Sequence, residues 1–237
     1  MSNYVVLSPS AHNNTHVITD RGEAQGDNIQ YSLTYPLEFR NIQSCYPIFF
    51  SKSGDTGEFS PIALFGFEKN ENLFLDDSGW NAPYIPMMVE RQPFLIGYQG
   101  TDDDLKPIVS IDMDSAKISE GIGEPLFDKH SQPTEFLKKM MIKLASLHHG
   151  HEHNKGFITA LIVEDLLEPF TLEVTLDNGS NHQLIGYYTI NEDKLRDLDG
   201  PTLADFNSKG YLQPIYMVVA SYARVRALID KKNALSK

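Results

Sequence analysis

The sequence predicts an α+β protein, β-rich in its first half and helical in its second. Three observations carry this. Short apolar runs bounded by turn formers fill the first half, helical periodicity dominates the second, and one Asn-Gly turn sits between two β-like runs near residue 178. In the first half, residues 5–7, 29–33, 48–51, 59–67 and 73–75 read as strands. Ser53-Gly54-Asp55 and Asp77-Ser78-Gly79 punctuate them. Residues 94–98 and 108–111 continue the pattern, with a helical turn expected over 36–45.

In the second half, Ser131 is placed to cap a helix, with Pro133 in the first turn and Glu135 near its positive end. Phe136, Met140, Met141, Leu144 and Leu147 then recur at helical spacing. Gly150 is read as the stop, and a second helix is expected over 155–167, ahead of Pro169. Residues 170–176 and 183–190 flank Asp177-Asn178-Gly179-Ser180, a hairpin signal because Asn and Gly tolerate positive φ. Leu212, Ile215, Val219, Tyr222, Val225 and Ile229 form one stripe of a last helix over 211–233. That stripe is a core face or a surface for self-association. The expectation is one composite domain over residues 1–237, the alternative being a boundary near 115–130.

The 20 Lys and Arg face 32 Asp and Glu, a formal net charge of -12. So acidic a surface repels phosphate backbones, which argues against nucleic acid as a partner, and also against anionic lipid. Lys138, Lys139 and Lys143 are the nearest thing to a local basic patch. The longest candidate apolar stretch without a charge, 211–223, is shorter than the ~20 residues of a membrane span and contains Gln213 and Pro214. No membrane span is expected. Residues 1–20 contain no Lys or Arg, unlike a secretory leader, and the single Cys45 forbids an intrachain disulfide. The cytoplasm is the expected compartment.

Several segments carry a family likeness. They are Tyr46-Pro47-Ile48-Phe49-Phe50, Ala63-Leu64-Phe65-Gly66-Phe67-Glu68 with Glu71-Asn72-Leu73-Phe74-Leu75-Asp76, and Gly79-Trp80-Asn81-Ala82-Pro83-Tyr84-Ile85-Pro86 with Arg91-Gln92-Pro93-Phe94. Gly123-Glu124-Pro125-Leu126-Phe127-Asp128, Leu166-Leu167-Glu168-Pro169-Phe170 and Gly186-Tyr187-Tyr188-Thr189-Ile190 complete the set. Along nearly the whole chain the sequence resembles the SapC family. The resemblance implies a bacterial protein related to one named from a surface-layer gene region. Genes for flavin-dependent halogenase-like proteins, cupin-like proteins and TonB-dependent receptors often lie nearby, implying a role beside uptake or modification of a ligand. It assigns no active site. The peptide-transport permease sharing the label is unrelated. Glu90 stands where the resemblance leads one to expect a basic residue before Arg91.

Two groups of residues are candidates for a site. Within residues 80–94, Trp80, Asn81, Tyr84, Arg91 and Gln92 lie among stiffening prolines. Rigid aromatics with polar tips, together with an arginine, suit a small-molecule or peptide pocket. The plain alternative makes Trp80 and Tyr84 core anchors and pairs Arg91 with an acid. The second group is His148-His149-Gly150-His151-Glu152-His153. In an extended loop His149, His151 and His153 point the same way, as metal ligands would. The plain alternative is a polar loop after a helix.

Asp76, Asp112 and Asp114 are candidate acids, while Asp102-Asp103-Asp104 lacks the spacing and Gly of a calcium loop. Cys45 has no basic neighbour and reads as a structural thiol. No serine sits in a nucleophile elbow. Gly121-Ile122-Gly123 lacks a dinucleotide loop's third glycine, so no cofactor is expected. The sequence therefore points to a non-catalytic binding or accessory protein for a small molecule or peptide, with a partner protein or self-association as further partners. The rival is an enzyme, metal-dependent or otherwise, acting on the same ligand, or a structural oligomer.

Overall fold

The structure is a computed structural model that describes residues 3–100 and 106–235. It is α+β. The first half supplies β1 (Tyr4–Val6), α1 (Pro9–His12), β2 (Thr15–Val17), β3 (Tyr31–Leu33), α2 (Phe39–Cys45), β4 (Ile48–Lys52) and β5 (Phe59–Leu64). There follow β6 (Leu75–Asp76), β7 (Gly79–Trp80), α3 (Met87–Glu90), β8 (Phe94–Gln99), β9 (Lys106–Asp112), β10 (Ile118–Glu120) and β11 (Glu124–Pro125). The second half supplies α4 (Glu135–Val163), the hairpin β12 (Leu167–Thr175) and β13 (Asn181–Ile190), then α5 (Glu192–Arg196), α6 (Gly200–Ser208), α7 (Leu212–Ser221) and α8 (Arg224–Leu235).

The main sheet runs β12-β13-β4-β5-β3, antiparallel throughout. The late hairpin completes a sheet begun by the first half, with Tyr187 opposite Ser51 and Tyr188 opposite Phe50. A second sheet, β1-β9-β8, and a third, β10-β2-β11, lie apart from it. Two apolar clusters follow. The larger joins the main sheet to α2, α7 and α8 through Phe39, Ile42, Phe49, Phe50, Ile215 and Leu228. The smaller packs Phe94 and Ile111 against Leu126, Leu137 and Leu144. Helix α4 serves both, its first half in the smaller cluster and Phe157, Ile158 and Leu161 in the larger.

Two helix expectations are corrected. Helix α4 does not stop at Gly150 but runs 29 residues through it, and its cap is Thr134, whose side chain accepts from Leu137 N. Ser131 instead adopts positive φ before the helix, and residues 164–166 lead into β12 rather than extending a second helix. Gly150 answers to packing: a Cβ there would lie 2.1 Å from Leu37 Cδ2. The last helix is also two. Hydrogen bonds from Tyr222 N to Val219 O and from Val225 N to Tyr222 O tighten the chain between α7 and α8.

Candidate functional site

Trp80, Tyr84, Ile85 and Val89 of the segment 80–94 pack on the larger core, and Phe94 belongs to the smaller one. The β6–β7 turn is fixed by Asp76, which accepts from Ser78 N at 2.8 Å and from Asn81 Nδ2 at 2.6 Å. Those bonds hold the Asp76 carboxyl below its usual range, the Ser78 hydroxyl contributing most. Asn81 is thus an exposed turn residue, and Asp76 is an acceptor for the turn.

Trp80 stands edge-on to Phe65 at 5.2 Å, and its indole N–H donates to Tyr46 Oη at 2.8 Å. The buried Tyr46 donates in turn to the Tyr84 carbonyl at 2.6 Å. Burial pushes the Tyr46 hydroxyl's pKa well above its ordinary value. The Tyr84 hydroxyl donates to Glu38 Oε2 at 2.8 Å. Glu38 also accepts from Met87 N at 3.0 Å and from Thr34 Oγ1 at 2.8 Å. Burial raises the Glu38 pKa against the pull of these three donors. The polar tips of Trp80 and Tyr84 therefore close an internal network.

Arg91 is different. It follows α3, half-buried, and donates through Nη1 to the Phe94 carbonyl. No carboxylate lies within ion-pair distance among the described residues, and its Nε–H is buried without an acceptor. The neighbouring Glu90 pairs with Lys143. Burial pulls the Arg91 pKa below the ordinary arginine value, opposed by the Tyr35 phenol. The side chain lines a cavity of about 280 Å³ shared with Tyr35, Leu95, Leu147, His148 and His151. Gln92 faces another cavity of about 220 Å³, with Arg21, Glu90 and Phe136. The five residues expected to share one pocket thus fall into four places. The connection from α3 to β8 and helix α4 bring Arg91 together with two histidines from the other candidate group.

The histidine run is helical, and this corrects the extended-loop geometry. Positions four apart share a helix face and positions two apart do not. His149 and His153 line a groove of about 520 Å³ with Leu37, Gln213 and Pro214. His153 packs on Tyr211, ring centres 5.5 Å apart. His151 faces the Arg91 cavity instead, its ring 6.0 Å from that of Tyr35. Among the described residues no group of three or more His, Cys, Asp or Glu is placed to hold a metal ion.

The remaining acids act locally. Asp112 Oδ1 accepts from Asn3 N at 2.9 Å and from Asp114 N at 3.2 Å, a capped turn, and Asp114 is exposed. Residues 102–104 lie outside the described residues. Cys45 is buried and unpaired. No described helix is long and apolar enough to cross a membrane.

Sequence reasoning missed two buried features. One is Glu38. The other is Asp27, which meets Arg21 at 3.3 Å and Lys117 at 3.4 Å and accepts from Gly22 N at 3.0 Å. Burial, and then the charge of Arg21, lower the Lys117 pKa. Ninety residues of separation left no local signal of the Asp27–Lys117 pair.

No curated protein and no solved structure matches the chain. A family model described as SapC matches residues 7–228, nearly the whole sequence, and the chain belongs to the SapC family.

Proposed function

We propose that this SapC-family protein is a non-catalytic binding or accessory protein that holds a small molecule or peptide, gripped at Arg91. One observation carries the reading: a guanidinium without a carboxylate partner among the described residues lines a cavity whose walls are mostly apolar. Surface arginines face water freely and structural ones usually pair, so a half-buried unpaired one beside a cavity suits a guest. In this reading Trp80 and Tyr84 stiffen the segment that presents Arg91, while Asn81 and Gln92 lie outside the grip. The reading treats the chain as one composite domain, because α4 serves both apolar clusters and also walls the cavity.

The test is extraction of the full chain after purification, with mass spectrometry of what it carries. A small molecule present in wild-type extracts and lost from folded Arg91→Ala and cavity-filling Leu147→Trp variants is the expected result. Extracts indistinguishable among the three proteins overturn it.

A further inference from the structure

We infer that the Arg91 cavity takes a small monoanionic carboxylate with an apolar tail, an assignment that rests on the binding reading above. Arg91 Nη1 is engaged by the Phe94 carbonyl and Nε is buried from solvent, which leaves Nη2 as the guanidinium nitrogen accessible to a guest and without an acceptor among the described residues. A charged N–H donor at Nη2 suits a carboxylate oxygen, in a charge-assisted hydrogen bond. The one acid next to it in sequence, Glu90, is occupied by Lys143 and lines the other cavity.

The surroundings narrow the class further. Tyr35, His148 and His151 add hydrogen-bonding groups beside the guanidinium. The His148 Nδ1 already shares a 3.3 Å hydrogen bond with Tyr98 Oη, which leaves Nε2 for a guest. Met88, Leu95, Ile96, Leu144 and Leu147 supply the rest of the lining, which suits hydrocarbon. Among the described residues Arg91 is the only Lys or Arg in the lining, on a chain of net charge -12. One fixed cation balances one negative charge. Polyphosphates and other multiply charged guests meet an uncompensated repulsion there. A volume of about 280 Å³ sets the guest at the small end of ligand size.

The test uses hexanoate and its neutral isostere hexanamide, titrated into the full chain carrying labelled Ile and Leu methyl groups. Hexanoate is expected to shift the Ile96, Leu144 and Leu147 methyl resonances saturably, and hexanamide to bind at least about tenfold more weakly. Arg91→Gln should bring hexanoate down to the amide's level, and Arg91→Lys, which keeps the charge but not the planar guanidinium, should fall between. Thermal melting checks that each variant folds. If Arg91→Gln does not fold, the wild-type ratio of hexanoate to hexanamide decides alone. Equal binding of the two probes overturns the carboxylate assignment and leaves the binding reading standing. So does a hexanoate preference that survives Arg91→Gln. Absence of any saturable shift from either probe, up to their solubility, overturns the assignment and removes this cavity from the binding reading.

Discussion

The Tyr84 hydroxyl donates to the Glu38 carboxyl across 46 residues of sequence, and so ties the aromatic segment to the turn before α2. Glu38 is 1% exposed and holds three donors at once. Glu38→Ala strands all three and should cost about 3 kcal/mol or more in urea unfolding. Tyr84→Phe removes one bond to a carboxyl and should cost roughly 1.5–3 kcal/mol. A loss under ~0.5 kcal/mol in both variants would show that the network does not hold the segment.

The same carboxyl predicts a pH dependence. Burial raises its folded pKa above the ordinary 4.5. Folding therefore favours the protonated form, and this group's contribution is complete below that ordinary value. It is lost as pH rises through the folded pKa. Glu38→Gln does not titrate, so the stability gap between wild type and Glu38→Gln should be widest in acid and narrow toward neutral pH. Denaturant midpoints at a series of pH values check this, and a gap that widens with pH contradicts it.

Asp27 and Lys117 give a second dependence. Asp27→Asn leaves a lysine buried without its partner and should cost about 3–5 kcal/mol near neutral pH. The folded Lys117 pKa already lies below 10.5, so folding disfavours its charged form. Such a penalty is present below the folded pKa and disappears as pH rises toward 10.5. Removing Asp27 deepens the depression. The variant's deficit should therefore shrink on the alkaline side, measured by the same unfolding series.

Ser221 links α7 to the main sheet: its hydroxyl accepts from Ile48 N at 2.9 Å while donating to the Val218 carbonyl at 2.6 Å. Ser221→Ala leaves a buried N–H without an acceptor and should cost about 1–3 kcal/mol. The exposed Ser208, bonded only to Asp205 O, is the control, and Ser208→Ala should stay within about 0.5 kcal/mol of wild type.

What the sequence disclosed was local. The hairpin around Asn178-Gly179 and the strands beside Ser53-Gly54 stand where turn chemistry puts them, because a turn is decided by the residues within it. The family likeness also covers the matched chain. The site was legible only in part. Residues 80–94 hold Arg91, but the partners that make its cavity, Tyr35, His148 and His151, come from distant elements. Trp80 and Tyr84 look the same in sequence whether their tips meet a guest or Tyr46 and Glu38. Glycine misled in a definite way. In α4 it serves close approach of another element, a property of the partner and not of the helix.

Gly156 makes that last point measurable. A Cβ there would lie 2.6 Å from the Tyr211 hydroxyl, whose ring is wedged against Phe157, Phe206 and His153. Alanine is the better helix former by about 1 kcal/mol. Overpacking against a ring held on three sides outweighs this, so Gly156→Ala should destabilise by about 1–2 kcal/mol net. At Gly150 the obstacle is the terminal methyl of Leu37, a 44% exposed side chain free to swing away. Gly150→Ala should be near neutral by comparison. Tyr211→Phe removes the clashing oxygen, so the Gly156→Ala/Tyr211→Phe double variant should recover most of the loss, with a coupling of at least ~0.5 kcal/mol. Additive losses in that double-mutant cycle would mean that Gly156 is required by the helix itself and not by Tyr211.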